Sequence, residues 1–289
     1  PHGYQINDEN GKPYVCRLRK GLYGTKQAAR LWHRTLKTHL LSDGWCQLES
    51  DPCIFTRLTA ANGRELLGIY VDDIVHCCST TAIHERLLAS CQTVFPTTSQ
   101  GKLHWLLGMR ILRNSATRTT TLDQSRAIFD FVENNTRPIS SRTASTPMDR
   151  EWQYGSDPAT TNPEDLIYFR SCIGSMLFFA NCTRPDISYA VNSLCCHLHR
   201  PNAACFSAVE RLIRYLRDTP DLGLSYVAPD SDTPLSLEVY ADASYGGEHA
   251  NQARSQHGYL VYFGGNLIDW NSTLQNTVAV SSADAEFIA

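Results

Sequence analysis

The stretch from Leu66 to Cys78 reads Leu-Leu-Gly-Ile-Tyr-Val-Asp-Asp-Ile-Val-His-Cys-Cys. Its apolar and β-branched residues favour extended structure, yet two adjacent acids interrupt them. Asp is depleted from strands, and an unpaired charge in an apolar interior is costly. A hairpin resolves the conflict: Leu66–Val71 runs out, Asp72-Asp73 forms the tip, and Ile74–Cys78 returns. Such a tip offers two carboxylates on a stiff support with apolar flanks. Hard oxygen ligands suit divalent cations, and two cations can hold a triphosphate and polarise an attacking hydroxyl. The residues therefore point to phosphoryl or nucleotidyl transfer. An ordinary hairpin with an acidic turn satisfies the same residues, because Asp is common at turns.

The remaining chain narrows the choice. Its 289 residues are 42% hydrophobic and 19% charged, enough for a buried core and two or three structural units. No apolar run approaches the roughly 20 residues needed to span a bilayer. The chain opens at Pro1 without a Met and ends at Ala289 after a strongly patterned stretch, so both ends are expected to be cuts through a longer polyprotein. Eleven cysteines without a C-x-x-C read as reduced core thiols. Cys195, Cys196, His197 and His199, with Cys182 and Cys205 nearby, fit no common zinc spacing and lie in a helical pattern.

Charge is distributed unevenly around a net value of −3. Between Asn10 and Ser42 stand Lys12, Arg17, Arg19, Lys20, Lys26, Arg30, Arg34 and Lys37, with no acid among them. That block can neutralise a phosphate backbone or a triphosphate; a solvated helix face would normally mix signs. From Asp218 to Ala253 the balance reverses, with acids and no Lys or Arg.

Periodicity predicts a strand over 13–19, a helix over 26–41 ended by Asp43-Gly44, and a strand over 53–58. A turn at Asn62-Gly63 leads into the acidic hairpin. A helix is expected over 83–95, strands over 103–112 and 119–122, and a helix over 124–133 capped by Asp123. Residues 135–155 read as an exposed linker, followed by helices over 168–180, 186–198 and 203–217, the last capped by Asn202. Arg211, Arg214 and Arg217 recur on one side of that last helix and could track a duplex or simply face solvent. Leu235–Ala241 alternates as a strand delivering Asp242. Strands over 258–263 and 266–271 follow, and then a helix opened by Ser281-Ser282 and carrying Glu286.

Tyr70-Val71-Asp72-Asp73 resembles the Y-x-D-D motif of reverse transcriptases. Leu22-Tyr23-Gly24-Thr25-Lys26-Gln27-Ala28-Ala29-Arg30-Leu31-Trp32 resembles the L-Y-G-L-K-Q-S-P-R-x-W segment of copia-type LTR retrotransposon Pol polyproteins. Leu107-Gly108-Met109, Thr146-Pro147-Met148, Tyr168-Phe169-Arg170-Ser171 with Ile173-Gly174-Ser175, Thr183-Arg184-Pro185-Asp186-Ile187 and Arg214-Tyr215-Leu216 follow in the family's order. Val280-Ser281-Ser282-Ala283-Asp284-Ala285-Glu286-Phe287 resembles the A-L-S-S-T-E-A-E-Y segment of a retroelement ribonuclease H.

The resemblance implies an α+β chain in three parts: reverse-transcriptase fingers and palm over 1–115, a mostly helical thumb or connection over 116–220 with an exposed linker at about 135–160, and the first half of a ribonuclease H-like domain over 225–289. It implies Asp72 and Asp73 as polymerase carboxylates and Asp242 and Glu286 as ribonuclease H carboxylates, each pair binding Mg²⁺ or Mn²⁺. Tyr23, Gly24, Lys26 and Gln27 would meet the incoming nucleotide, and Arg30, Arg211, Arg214 and Arg217 the nucleic acid. Expected partners are an RNA/DNA template–primer, dNTPs and the rest of the polyprotein, with no membrane, in a cytoplasmic particle and in the nucleus. Departures stand at Ala29 (family Pro), Thr98 (family Lys, with Lys102 nearby), Ser244-Tyr245 (often Asp-Trp) and Thr273-Leu274 (often Lys-Arg). The family's third polymerase carboxylate lies upstream of Pro1, and the remaining ribonuclease H acids follow Ala289. The chain alone is therefore expected to be inactive, and its last part poorly ordered or leaning on what precedes it. The alternatives are a non-catalytic nucleic-acid-binding remnant and a purely structural protein.

Overall fold

The computed structural model describes residues 6–289 except 16, 18, 20, 23, 59–62, 231–233 and 246–253. The chain divides into two compact units, Pro1–Leu103 and His104–Ala289. Every strand pairing within the sheets is antiparallel, giving a mixed α and β architecture. Among the described residues no helix is long and apolar enough to cross a membrane.

In the first unit, helix α1 (Ala28–Ser42) precedes a four-stranded meander of β1 (Cys46–Gln47), β2 (Ile54–Leu58), β3 (Arg64–Tyr70) and β4 (Asp73–Cys77), and α2 (Thr81–Gln92) follows. Trp32, Leu36 and Leu40 recur every fourth residue on α1. They meet Phe55, Leu67, Ile69, Leu87 and Cys91 in one core. Gly44, at φ +83°, turns the chain out of α1. The strand expected over 13–19 does not form among the described residues. Pro13 makes only an isolated bridge to Asn7, and Val15 is 90% exposed. Tyr14 and Val15 are exposed, Pro13 brings no N–H to a ladder, and Cys16 and Leu18 lie outside the described residues.

The second unit opens with β5 (Trp105–Leu106), β6 (Met109–Asn114) and β7 (Thr119–Asp123). The single strand expected over 103–112 is a hairpin instead. Leu107 and Gly108 both have positive φ, the sign pattern of a type I′ turn. Helices α3 (Ser125–Glu133), α4 (Pro163–Cys182), α5 (Ser188–Cys195) and α6 (Ala203–Asp218) build the main core. Pro185–Ile187 is a single 3-10 turn ahead of α5. Asn202 caps α6 through the Cys205 N–H at 3.1 Å. Asp123 is the last residue of β7 rather than a helix cap. Its buried carboxylate accepts from the Ser125 N–H and from Arg110.

Residues 135–162 are irregular but not a free linker. Ala144 and Met148 are buried in the core, and Ile139, Trp152 and Tyr154 pack on it. The segment is a strap, because its few apolar side chains reach the helices and its backbone finds polar partners on α6. Strand β8 (Leu224–Val227) returns to pair with β7.

A second sheet follows, ordered β11-β10-β9, from β9 (Leu237–Ser244), β10 (Gln256–Phe263) and β11 (Asn266–Leu274), with α7 (Ser282–Ile288) packed on β9. Asn266 exchanges two hydrogen bonds with the Val227 backbone, at 2.7 and 3.0 Å. Trp270 Nε1 donates to the Ala180 carbonyl at 2.8 Å. The sheet is thereby fastened to β8 and α4.

Candidate active site

The acidic hairpin forms with its tip one residue earlier than the sequence suggested. Val71 and Asp72 make the two-residue turn, and Asp73 is the first residue of β4, paired with Tyr70. Val71 carries φ +55°, while Asp72 has no positive φ, the sign pattern of a type II′ turn. Glycine usually fills such a position; a β-branched residue there is strained. Alternation puts Glu65, Leu67 and Ile69 on the core face of β3 and Tyr70 on the opposite face, so Asp73 projects away from the core. Asp72 and Asp73 are exposed, and neither carboxylate has a hydrogen-bond or ion-pair partner among the described residues.

Among the described residues, a side-chain hydrogen bond reaches this turn from outside the hairpin. Trp32 Nε1 donates to the Val71 carbonyl at 2.6 Å, and its ring meets Phe95 edge-on at 4.7 Å. The bond brings the first turns of α1 to the tip. There Gln27 is the N-cap without a side-chain cap, and no acid lies in the first turn. Gly24 (φ +87°), Lys26, Gln27 and Arg30 are exposed around this helix start, whose dipole favours anions although the Ala28 N–H already donates to the Thr25 carbonyl at 3.0 Å. Tyr23 lies outside the described residues.

Behind the tip lies a buried charge cluster that sequence reasoning missed. Glu65 accepts from Arg57 at 3.0 and 3.3 Å, from Arg86 at 3.0 Å, and meets His76 Nε2 at 3.2 Å. Arg57 also pairs with Asp43 at 2.8 Å and lies over the Trp45 ring. His76 Nδ1 faces His84 Nδ1 at 3.4 Å, and His84 Nε2 meets Ser99 Oγ at 3.0 Å. With both imidazoles neutral, one tautomer set satisfies every contact. Ser99 donates to His84, His84 to His76, and His76 to Glu65, an assignment made from the network. Burial raises the Glu65 carboxyl, but the Arg57 hydrogen bond and charge, with His76 and Arg86, outweigh it and hold it below the usual carboxylate range. Burial pushes the His76 imidazole down, and the pull of Glu65 does not fully offset this. The signal for this cluster was present: Glu65 falls on the same alternate positions as Leu67 and Ile69.

The other nominated residues lie in the second unit. Asp242 sits within β9 opposite Gly258, two residues before the strand ends, and is exposed. Glu286 is exposed on α7, which Ser281 caps through the Asp284 N–H at 3.1 Å. The packing of α7 on β9 puts these two carboxylates on neighbouring elements.

The arginines of α6 are engaged by their own chain. Arg211 bonds Thr146 at 2.8 and 3.3 Å, and Arg217 bonds the Ser140 and Arg142 carbonyls and Asp218. Arg214 lies 3.8 Å from Glu210. Two of the three therefore fasten the strap. Burial pushes the thiols of Cys91, Cys172, Cys182, Cys195, Cys196 and Cys205 up, which suits core packing. Among the described residues no three His, Cys, Asp or Glu side chains converge as a metal-ligand set. Asp72 and Asp73 stand as two adjacent, exposed carboxylates, the oxygen-donor type that could hold a divalent cation together with other ligands.

Residues 1–148 match the family described as reverse transcriptase (RNA-dependent DNA polymerase). The chain belongs to this family. Its relatives include copia-type Pol polyproteins. It is 34% identical to the retrovirus-related Pol polyprotein from transposon RE2 of Arabidopsis thaliana, over 97% of the chain and 18% of that polyprotein. It is 31% identical to the corresponding polyprotein from transposon TNT 1-94 of Nicotiana tabacum, over 100% of the chain and 22% of the relative. A putative transposon Ty5-1 protein of Saccharomyces cerevisiae is 31% identical, with 91% of its length covered. The chain thus spans about a fifth of the length of the plant polyproteins it matches. No solved structure matches it.

Proposed function

We propose that this reverse-transcriptase chain supplies Asp72 and Asp73 as carboxylates of an RNA-directed DNA polymerase, and Asp242 and Glu286 to a ribonuclease H that begins in its last sheet. The observation that carries the polymerase reading is the unpartnered carboxylate pair on a turn held against the start of α1. Asp72 and Asp73 would hold Mg²⁺ or Mn²⁺, which when bound neutralises the triphosphate and polarises the primer hydroxyl. The chain's own contribution is positional. The hairpin, packed through Leu67 and Ile69, fixes the carboxylates. Lys26, Gln27, Arg30 and the positive end of the α1 dipole attract the phosphates of a dNTP or of the template–primer. Gly24 allows close backbone approach, and Tyr23 completes the segment in the family pattern.

Asp242 on a strand and Glu286 on a helix packed on that strand follow the same two-carboxylate logic for RNA cleavage. The arginines of α6 contribute less, since Arg211 and Arg217 already hold the strap. The remaining partners in this reading are the other parts of the polyprotein, in a cytoplasmic particle and the nucleus.

Asp72 and Asp73 fill two of the polymerase carboxylate positions of the family pattern. Primer extension on an RNA template with Mg²⁺ or Mn²⁺, by a Pol polyprotein that contains this chain, is expected to be abolished by Asp72→Ala. Extension unchanged by that substitution, with salt-sensitive duplex binding retained, would favour a non-catalytic nucleic-acid-binding role.

A further inference from the structure

We propose that Trp32 is a positioning residue for the Asp72–Asp73 pair. Its indole N–H, bonded to the Val71 carbonyl, holds the strained turn closed so that both carboxylates stay within reach of one cation. The inference rests on the metal-binding reading of that pair. Its basis is a mismatch between the turn and its residues. The turn places Val71 at φ +55°, where glycine is the usual occupant. Val71 is exposed, so no apolar burial compensates for the strain. Asp72 and Asp73 make no side-chain bond among the described residues that would lock the tip.

The restraint from outside the hairpin is the 2.6 Å indole bond. The donor is itself rigid. Leu36 and Leu40, one and two turns further along α1, are fully buried, and Phe95 braces the ring edge-on. Simple core packing would account for the ring of Trp32. It does not account for the polar end of a half-buried indole being aimed at the carbonyl of the one strained turn residue beside the carboxylates.

The test uses the whole chain with Trp32→Phe, which keeps an aromatic ring against Phe95 and removes the N–H. Mn²⁺ affinity is read by electron paramagnetic resonance, with Asp72→Ala identifying the site. Amide hydrogen exchange is followed at residues 71–73 and at Leu67. The expected result is Mn²⁺ binding weakened about fivefold, the loss of roughly one neutral hydrogen bond. Exchange should rise at 71–73 and stay unchanged at Leu67. Adding Val71→Gly relieves the strain and should recover at least half of the lost affinity.

Unchanged affinity and unchanged turn exchange would overturn the proposal. So would an exchange increase spread equally through β3, which marks general packing, or a double variant as weak as Trp32→Phe. Absence of Mn²⁺ binding at Asp72 in the unsubstituted chain would instead sink the metal reading, and turn exchange would still decide whether Trp32 pins the tip.

Discussion

Glu65→Gln is the sharpest test of what holds the hairpin in place. The side chain is 1% exposed, and its two oxygens meet Arg57, Arg86 and His76. Gln keeps the shape but removes the charge, and its amide NH₂ must face donors where an oxygen stood. Removing one partner of a buried pair typically costs about 3–5 kcal/mol. Two features reduce that here. Arg57 retains Asp43 at 2.8 Å and the Trp45 ring, and Arg86 is 61% exposed and can rehydrate. The expected loss is about 2–4 kcal/mol in the first unit. The chain has two compact units, so one whole-chain melting curve would mix them. Hydrogen exchange resolves the difference: amides of Leu67 and Leu40 should lose that protection, while Leu212 should not change.

The pH dependence gives an independent check. The folded Glu65 and His76 values both lie below their ordinary ones of 4.5 and 6.5. A depressed value means the unfolded chain binds protons first on acidification. The stabilisation is therefore full above the ordinary value and is lost as pH falls through the folded one. The first unit should weaken below about pH 6.5, as His76 takes a proton that its burial disfavours, and again below about 4.5. In Glu65→Gln the lower step should vanish. The upper step should persist, because the pull of Glu65 on the His76 proton is gone. A variant within about 0.5 kcal/mol of the parent, with the same acid profile, would refute the argument that this cluster carries the hairpin.

Two further substitutions probe the second unit. Arg184 is fully buried, bidentate to Asp186 at 2.8 and 2.9 Å and bonded to Thr219, while Tyr215 donates to Asp186 at 2.8 Å. Arg184→Lys cannot reproduce that fork and should cost about 2–4 kcal/mol by hydrogen exchange of α4 and α6 amides; a loss under about 0.5 kcal/mol would show that a point charge suffices. At Gly223 an added Cβ would collide with the Leu122 carbonyl oxygen and lie 2.9 Å from the Asp123 Cβ, both in β7. Gly223→Ala should therefore detach β8, read as lost protection at Leu224 and Tyr226; retained protection there would mean the β7–β8 pairing yields without breaking.

The elements that were legible in the sequence are those whose partners lie nearby in the chain. The Asn202 cap and the Gly264-Gly265 turn each satisfy themselves locally, and the period of α1 is written in its own residues although distant strands and α2 cover its face; each forms where the residues indicate. The misreadings involve residues completed by distant chain. Leu107-Gly108 was read through as strand because the turn signal at that position is normally Asn-Gly or Asp-Gly. Asp123 has the composition of a cap, but Arg110, thirteen residues earlier, claims its carboxylate. The Asp-Asp pair was located within one residue; the backbone register that makes Val71 the strained position was not, because nothing in Val-Asp announces φ > 0.

The α6 arginines show why charge spacing alone does not assign a surface. A three-residue recurrence fixes one side of a helix, but the sign of its neighbours in space is set elsewhere. Here the strap over 139–149 lays carbonyls and a threonine hydroxyl along that side, and Arg211 and Arg217 turn inward to meet them. The basic block around α1 has the same sequence character and the opposite environment: Lys26, Arg30 and Arg34 are exposed. Positive charge left in solvent stays available to a phosphate, and unpartnered carboxylates stay available to a cation. The same charge folded onto the strap is already spent on backbone carbonyls. The candidate site is therefore distinguished less by which residues it contains than by which of them the fold leaves unsatisfied. In the first unit those are Asp72 and Asp73 and the start of α1, joined through one indole N–H.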